Sequence, residues 1–280
     1  MVFKIVERRE LNSIEFEIFV EAPRIAQKAQ AGQFVILRID HNGERIPLTV
    51  VDTEPDKGLV RLIFQVIGKS TAALAKLQTG DSLSDLVGPL GKATEIENYG
   101  TVLLVGGGVG IAALFPIIKA LKAVGNKVIT ILGAKNKELL ILADECRKYS
   151  DELYLMTDDG TLGQKGLVTD AMKFVFAKEK IDTAWAVGPS PMMKFSTLAA
   201  KKAGVPIYVS LNPIMVDGTG MCGGCRVTVD KKIKFACVDG PEFLGAGVDW
   251  DDFSNRMKQY RDEEQIADTI YKGGMPNGKA

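Results

Sequence analysis

Histidine is almost absent from this chain: one residue, His41, in a length of 280. That leaves little for imidazole-based acid–base catalysis or for a histidine-rich zinc site. Cysteine is scarce as well, with four residues. The first residues run straight into the strand-like VFKIVERREL, so no secretory leader is expected. A disulfide framework is then not expected either, and a reducing, cytoplasmic setting is. Charge of one sign is not in excess: 35 Lys and Arg balance 35 Asp and Glu. Nothing therefore marks a binder of nucleic acid or another polyanion. No apolar run reaches the roughly 18 residues of a membrane-spanning helix. What is present is ordinary for a globular protein, 46% hydrophobic and 25% charged, in a length that suits two modest domains.

The few cysteines are unevenly placed. Cys222, Cys225 and Cys237 lie close together near the C-terminus, and Asp217 precedes them in the spacing D-x4-C-x2-C-x11-C. The plant-type [2Fe–2S] spacing is C-x4-C-x2-C…C, so aspartate stands in the first ligand slot. Glycines at 218, 220, 223 and 224 let the backbone curl and aim N–H groups at sulfur. Zinc is a competing reading of C-x2-C, but it asks for a second pair of ligands. A thioredoxin-like redox role asks for a strand-to-helix junction instead of glycine on both sides. Asp217 can also be read as a plain turn former. Cys146, in ILADECRKYS, is expected to be a lone thiol on a helix.

Residues 1–97 read as all-β. Six short runs, VFKIVE, IEFEIFVEA, GQFVILRI, RIPLTVV, LVRLIFQVI and SLSDLVG, are separated by turn formers and suggest a small closed barrel. A helix-like TAALAKL follows Gly68-Lys69-Ser70, an arrangement that can serve as an anion site or as an ordinary helix start. Residues 98–209 alternate buried apolar strands with helices, which predicts a doubly wound parallel sheet covered on both faces. One of the predicted helices spans KELLILADECRKY. In the first strand-to-helix turn stands Gly108-x-Gly110-x-x-Ala113, the context that a dinucleotide phosphate site requires. Gly188-Pro189 ends another strand on the same sheet edge. Residues 210–245 form the cysteine module. Residues 246–280 read as a polar, partly amphipathic helix and tail, with an apolar stripe at Phe253, Met257, Tyr260 and Ile266.

Barrel, dinucleotide fold and cysteine module in this order resemble the ferredoxin reductase superfamily. The resemblance covers nearly the whole chain. It is carried most specifically by GERIPLTV (43–50), IGKSTAAL (67–74), GPLG (88–91), LLVGGGVGIAALFP (103–116) and SLNPIMVDGTGMCGGC (210–225). Within the superfamily the chain looks like the electron-transfer subunits of dihydroorotate dehydrogenase. It looks still more like the small subunits of electron-bifurcating, NADH-dependent ferredoxin:NADP oxidoreductases, also called sulfide dehydrogenase beta subunits. In the dihydroorotate relatives the first cluster ligand is cysteine, and Asp217 in its place points to the transhydrogenase branch.

The resemblance implies FAD on the barrel, with Pro47, Leu48 and Thr49 along the isoalloxazine and ribityl portion. Gln65 and Val66 would touch the flavin or ribityl, and Gly68, Ser70 and Thr71 the pyrophosphate. The superfamily's phosphate arginine directly precedes the proline. Here Ile46 holds that slot and Arg45 stands one residue earlier, as the nearest candidate for the same contact. NAD(H) would approach Gly106, Gly107, Gly108, Val109 and Gly110, with Gly188 and Pro189 near the nicotinamide. Relatives carry cysteine where Val187 stands, so that role has no counterpart here. Lys135 would lie near the adenosine ribose, where it could meet a 2′-phosphate or simply be solvated; the resemblance favours NADH. Asp217, Cys222, Cys225 and Cys237 would hold the [2Fe–2S] cluster. The implied activity is hydride transfer from NADH to the flavin, then single electrons through the cluster to a larger partner. That partner would be an FAD- and [4Fe–4S]-containing, NADP-binding subunit in a heterodimer, with ferredoxin met through it. The alternatives are a dihydroorotate dehydrogenase subunit, a sulfide or polysulfide reductase subunit, a stand-alone ferredoxin reductase and a zinc-stabilised module.

Overall fold

The computed structural model describes residues 2–273; the last residues of the expected C-terminal tail, 274–280, lie outside them. The first sheet holds β1 (Phe3–Glu10), β2 (Glu15–Glu21), β3 (Phe34–Arg38), β4 (Ile46–Glu54), β5 (Leu59–Gln65), β6 (Ser82–Leu83) and β7 (Asp85–Leu90). Its order is β6-β1-β2-β5-β4-β3-β7, antiparallel throughout, and it curls into a nearly closed barrel. Seven strands stand where six runs were read, because SLSDLVG is split at Ser84 into β6 and β7, one at each edge of the sheet. Alternation explains the interior: Val20, Val35, Leu37, Val60, Leu62 and Phe64 are buried in one cluster. The short α1 (Pro23–Ala26) and α2 (Lys69–Lys76) belong to this unit.

The second sheet contains β8 (Thr101–Gly107), β9 (Lys127–Ala134), β10 (Glu152–Thr157), β11 (Gln164–Lys165), β12 (Thr183–Val187) and β13 (Ile207–Ser210). These six are parallel, in the order β11-β10-β9-β8-β12-β13. Helices α3 (Gly110–Ala123), α4 (Ala143–Lys148), α5 (Val168–Lys178) and α6 (Ser190–Ala203) connect them. The chain reverses strand order at β8, so the cleft of a doubly wound fold opens beyond its C-terminal end. The helix expected over KELLILADECRKY is only partly formed. A 3-10 turn covers Lys137–Leu139 and α4 begins at Ala143, because Leu142 adopts a left-handed φ of 55° between them. Cys146 is a buried lone thiol on α4, and burial pushes its pKa up to about 12.

The cysteine module adds a two-stranded hairpin, β14 (Arg226–Val229) with β15 (Lys232–Phe235), then α7 (Ala236–Asp239) and β16 (Glu242–Leu244). The last of these pairs antiparallel with β13 and extends the second sheet. The C-terminal helix is divided into α8 (Trp250–Arg256) and α9 (Arg261–Tyr271). Of the expected stripe, Phe253 is buried and Met257 packs on the core, while Tyr260 and Ile266 remain exposed. No helix among the described residues is long and apolar enough to cross a membrane.

Barrel and parallel sheet are held together by a partly buried ion network. Arg61 Nε donates to Glu17 Oε1 at 2.6 Å, and its two terminal nitrogens reach both carboxylate oxygens of Glu145 on α4 at 2.7 and 2.9 Å. Above it, Val51 and Ile63 of the barrel share a core with Ile111, Ala112 and Phe115 of α3.

Candidate functional site

Between the two sheets runs a cleft of about 1950 Å³. One wall is the start of β4. Arg45, Pro47, Leu48 and Thr49 line it, joined by Gln65 at the end of β5 and Thr71 on α2. The opposite wall is the glycine turn after β8, with Gly107, Gly108, Val109 and Gly110, and the turn after β12, with Gly188 and Pro189. Lys135, at the end of β9, lies on the same surface. Four of the residues singled out in the sequence are not on the wall itself. Val66 packs on the barrel core, Gly106 is buried beneath Ile111 and Leu114, and Gly68 and Ser70 sit beside Thr71 at the start of α2.

The glycines of the turn play different parts. Gly108 has φ of 54° and nothing within 4 Å of where a Cβ would stand, so its backbone faces open cleft. Gly110 is the opposite case: a Cβ there would lie 2.6 Å from Gly188 Cα and 2.6 Å from the Val187 carbonyl oxygen. It exists so that the start of α3 can touch the β12 turn. A Cβ on Gly107 would strike Met192 Sδ.

At the start of α2 the Thr71 hydroxyl accepts the N–H groups of Ile67 and Gly68 at 3.0 and 3.2 Å. The Ser70 hydroxyl donates to the Glu44 carboxylate. Arg45, the next residue, points the other way. Its Nε donates to the Val216 carbonyl oxygen at 2.6 Å, and Nη2 lies 3.5 Å from that of Asp217.

The cysteine loop closes one rim of the cleft through Ile214, Met215 and Val216. Gly218, Gly220 and Gly223 have φ of 83°, 88° and 70°, as the curled loop requires. Cys225 and Cys237 are buried with their sulfurs 3.2 Å apart, and the Cys237 N–H points at Cys225 Sγ from 3.4 Å. Cys222 is exposed and receives the Gly224 N–H at 3.4 Å. That contact lowers its pKa, as do backbone N–H groups nearby, whereas burial pushes Cys237 up to about 12. The Asp217 carboxylate accepts from the Thr219 hydroxyl at 2.8 Å and from the N–H groups of Thr219 and Met221, each at 3.0 Å. These bonds, the hydroxyl first, hold its pKa low, so it is an anion at neutral pH. Among the described residues no three His, Cys, Asp or Glu side chains converge as a single metal ion needs. Three thiols and one carboxylate, with N–H groups aimed at two of the sulfurs, do match the donor set of a two-iron cluster.

Several wall residues carry no sequence signal of their own. Met192, Phe195 and Leu198 of α6 border the cleft, and Phe195 and Leu198 are more than half exposed there. An apolar face on α6 that the core does not absorb is the one clue, visible only once the core is known. From α9, Glu263, Glu264 and Ala267 also reach the cleft.

Comparison with known proteins adds five findings. The family profile described as the iron–sulfur cluster binding domain of dihydroorotate dehydrogenase B matches residues 212–249. A Thermotoga maritima protein named as a homolog of the dihydroorotate dehydrogenase B (NAD(+)) electron transfer subunit is 56% identical over 94% of this chain and 93% of its own. The electron transfer subunit of Fusobacterium nucleatum is 34% identical over 78% of this chain and 86% of its own. Among solved structures, one chain superposes with TM-score 0.92 and 54% identity, covering 97% of this chain and 98% of that one. It comes from work on flavin-based electron bifurcation by NADH-dependent reduced ferredoxin-NADP oxidoreductase. A cytochrome P450 reductase from Amycolatopsis, 20% identical with TM-score 0.61, shares the fold alone.

Proposed function

The chain belongs to the family of dihydroorotate dehydrogenase B electron-transfer subunits, and from that premise we propose that it passes electrons between NAD(H), FAD and a [2Fe–2S] cluster to a larger subunit. The observation that carries this reading is the shared cleft: the Pro47–Thr49 wall, the Gly107–Gly110 turn and the rim of the cysteine loop all face one space. A bound flavin accepts electrons in pairs from a nicotinamide and can release them singly, which suits a one-electron cluster.

The residues divide the work. Pro47, Leu48 and Thr49, with Gln65, form the surface for the flavin ring and ribityl, and α2 presents its N-terminal end, with Gly68, Ser70 and Thr71, to the pyrophosphate. Gly108 lets the dinucleotide backbone approach closely, with Gly188 and Pro189 opposite. Asp217 and Cys222, together with the Cys225–Cys237 pair, hold the cluster. Around that loop Met221, Ile233, Val216 and Val238 are exposed by 89, 63, 49 and 39%. Such apolar surface beside the electron exit suits a docked subunit. The partner that fits is a flavoprotein with [4Fe–4S] clusters that binds NADP, because aspartate in the first ligand slot sets this chain apart from the four-cysteine pattern. The division into units at residues 1–97, 98–209, 210–245 and 246–280 belongs to the same proposal.

Anaerobic purification from the native source tests the reading. A heterodimer is expected, with about one FAD and two irons on this chain and a cluster signal in electron paramagnetic resonance (EPR) after NADH addition. A colourless, zinc-bearing monomer would overturn it.

A further inference from the structure

Arg45 stands where the flavin wall begins, yet its guanidinium is spent on the cysteine loop. It donates to the Val216 carbonyl at 2.6 Å and lies 3.5 Å from that of Asp217. The preceding residue faces the other way: Glu44 holds the Ser70 hydroxyl at the start of α2. Successive side chains of an extended segment point to opposite faces. Ile46, the first residue of β4, packs against the barrel core, whereas Arg45 just before the strand looks towards the loop. The loop is seated on the barrel at a second point. Gly218 lies flush on the barrel, where a Cβ would come 2.7 Å from Leu90 Cδ1 and 2.9 Å from Ile36 Cγ1. Ile36 of β3 pairs across the ladder with Pro47 of β4, so the loop rests on the strand next to the one that carries the flavin wall. At its other end the loop is held by Arg256 of α8, which donates to the carbonyls of Arg226 at 2.8 Å and Gly224 at 3.2 Å.

We infer that Arg45 is a positioning residue for the cluster and not a phosphate ligand of the flavin: it fastens the Asp217 end of the loop to the flavin wall and places a fixed positive charge beside that end. The inference rests on the proposed flavin and cluster sites. A guanidinium next to the cluster favours the reduced, more negative state and so raises the reduction potential, since hydrogen bonding and net charge around a cluster set that potential. Its planar fork can span two carbonyls from one side chain, which a lysine ammonium does not reproduce.

The test uses the intact protein with whatever subunit co-purifies. In Arg45→Gln the cluster should titrate at a more negative potential with altered EPR g-values, while FAD content stays at the wild-type level. Arg45→Lys should keep the charge, giving a smaller shift of potential, but should still broaden the EPR signal because the loop is less firmly held. Unchanged potential and g-values in both variants would overturn the inference. So would loss of FAD with an unaltered cluster, the signature of a phosphate contact. If the wild-type protein itself showed no cluster signal, the proposed function would fall first, and this outcome is distinct from a silent Arg45 variant.

Discussion

Asp217 carries two readings at once, and one atom separates them. As a turn residue it needs only an oxygen that accepts the N–H groups of Thr219 and Met221. As a ligand it needs an anion. Asparagine keeps the turn and removes the charge, so Asp217→Asn should leave the fold intact but weaken or lose the cluster. Asp217→Cys should retain a [2Fe–2S] centre with a shifted potential, because thiolate is the softer, more donating ligand. An unchanged EPR spectrum and potential in Asp217→Asn would leave the residue as a turn former. The glycines differ just as sharply. Gly108→Ala places a methyl group in open cleft, at a φ of 54° that costs alanine about 1–2 kcal/mol, and should depress NADH-driven reduction while dithionite still reduces both cofactors. Gly110→Val drives its side chain into the backbone at Gly188 and should appear as loss of folded protein. If stopped-flow reduction by NADH were normal in Gly108→Ala, the dinucleotide would bind elsewhere.

Among the elements, α2 is where local capping and ligand binding overlap. Thr71 closes the turn before the helix through two N–H groups. Thr71→Val should therefore lower FAD occupancy and also destabilise the barrel by about 1 kcal/mol, the ordinary cost of a lost cap. Urea denaturation of the FAD-free protein isolates the second effect. Unchanged stability there, with normal FAD content, would remove Thr71 from both roles. Helix α9 is a different case. It has no buried residues, and its Tyr271 ring lies 4.4 Å from the Lys76 ammonium of α2.

At the scale of the molecule, two partly buried charge sites join the parts. Arg61 bridges barrel and α4 through Glu17 and Glu145, and Glu17 is only 1% exposed. Arg61→Ala leaves Glu17 with Arg9 alone, whose Nη1 lies 3.1 Å from Oε2, and should cost about 1.5–3 kcal/mol in thermal or urea unfolding. A loss below about 1 kcal/mol would mean that Arg9 and water satisfy Glu17 by themselves. Glu242, on β16 of the cysteine module, joins two other segments. Its carboxyl accepts from the Thr94 hydroxyl at 2.7 Å, in the link after the barrel, and from Trp185 Nε1 at 3.2 Å, in the parallel sheet. Burial outweighs these two bonds and raises its pKa to about 7. The folded state thus keeps a proton that the unfolded chain gives up near its ordinary value of about 4.3. Stability from this group is complete below that value and declines as pH rises to about 7, by up to about 1.4 kcal/mol per unit. Glu242→Gln should flatten the fall of melting temperature between pH 5 and 8. An identical pH profile in the variant would place the titration elsewhere.

Chemistry that depends on short spacings could be read along the chain. The curl of the loop from Asp217 to Cys225 and the glycine turn at 106–110 are local geometry, dictated by residues within a few positions of one another. The alternation of strands and helices likewise announces a barrel followed by a parallel sheet, because burial imposes its period on the sequence. Other features depend on residues far apart in the chain, and these only the fold could decide. The direction of Arg45 follows from where the loop at 216–217 comes to rest. The packing role of Gly110 depends on the turn at Gly188, and the proton on Glu242 on its enclosure by Thr94 and Trp185. The helix expected at 137–149 broke for a tertiary reason as well: Ile141 and Cys146 both enter the core under α3, and a left-handed turn at Leu142 lies between them.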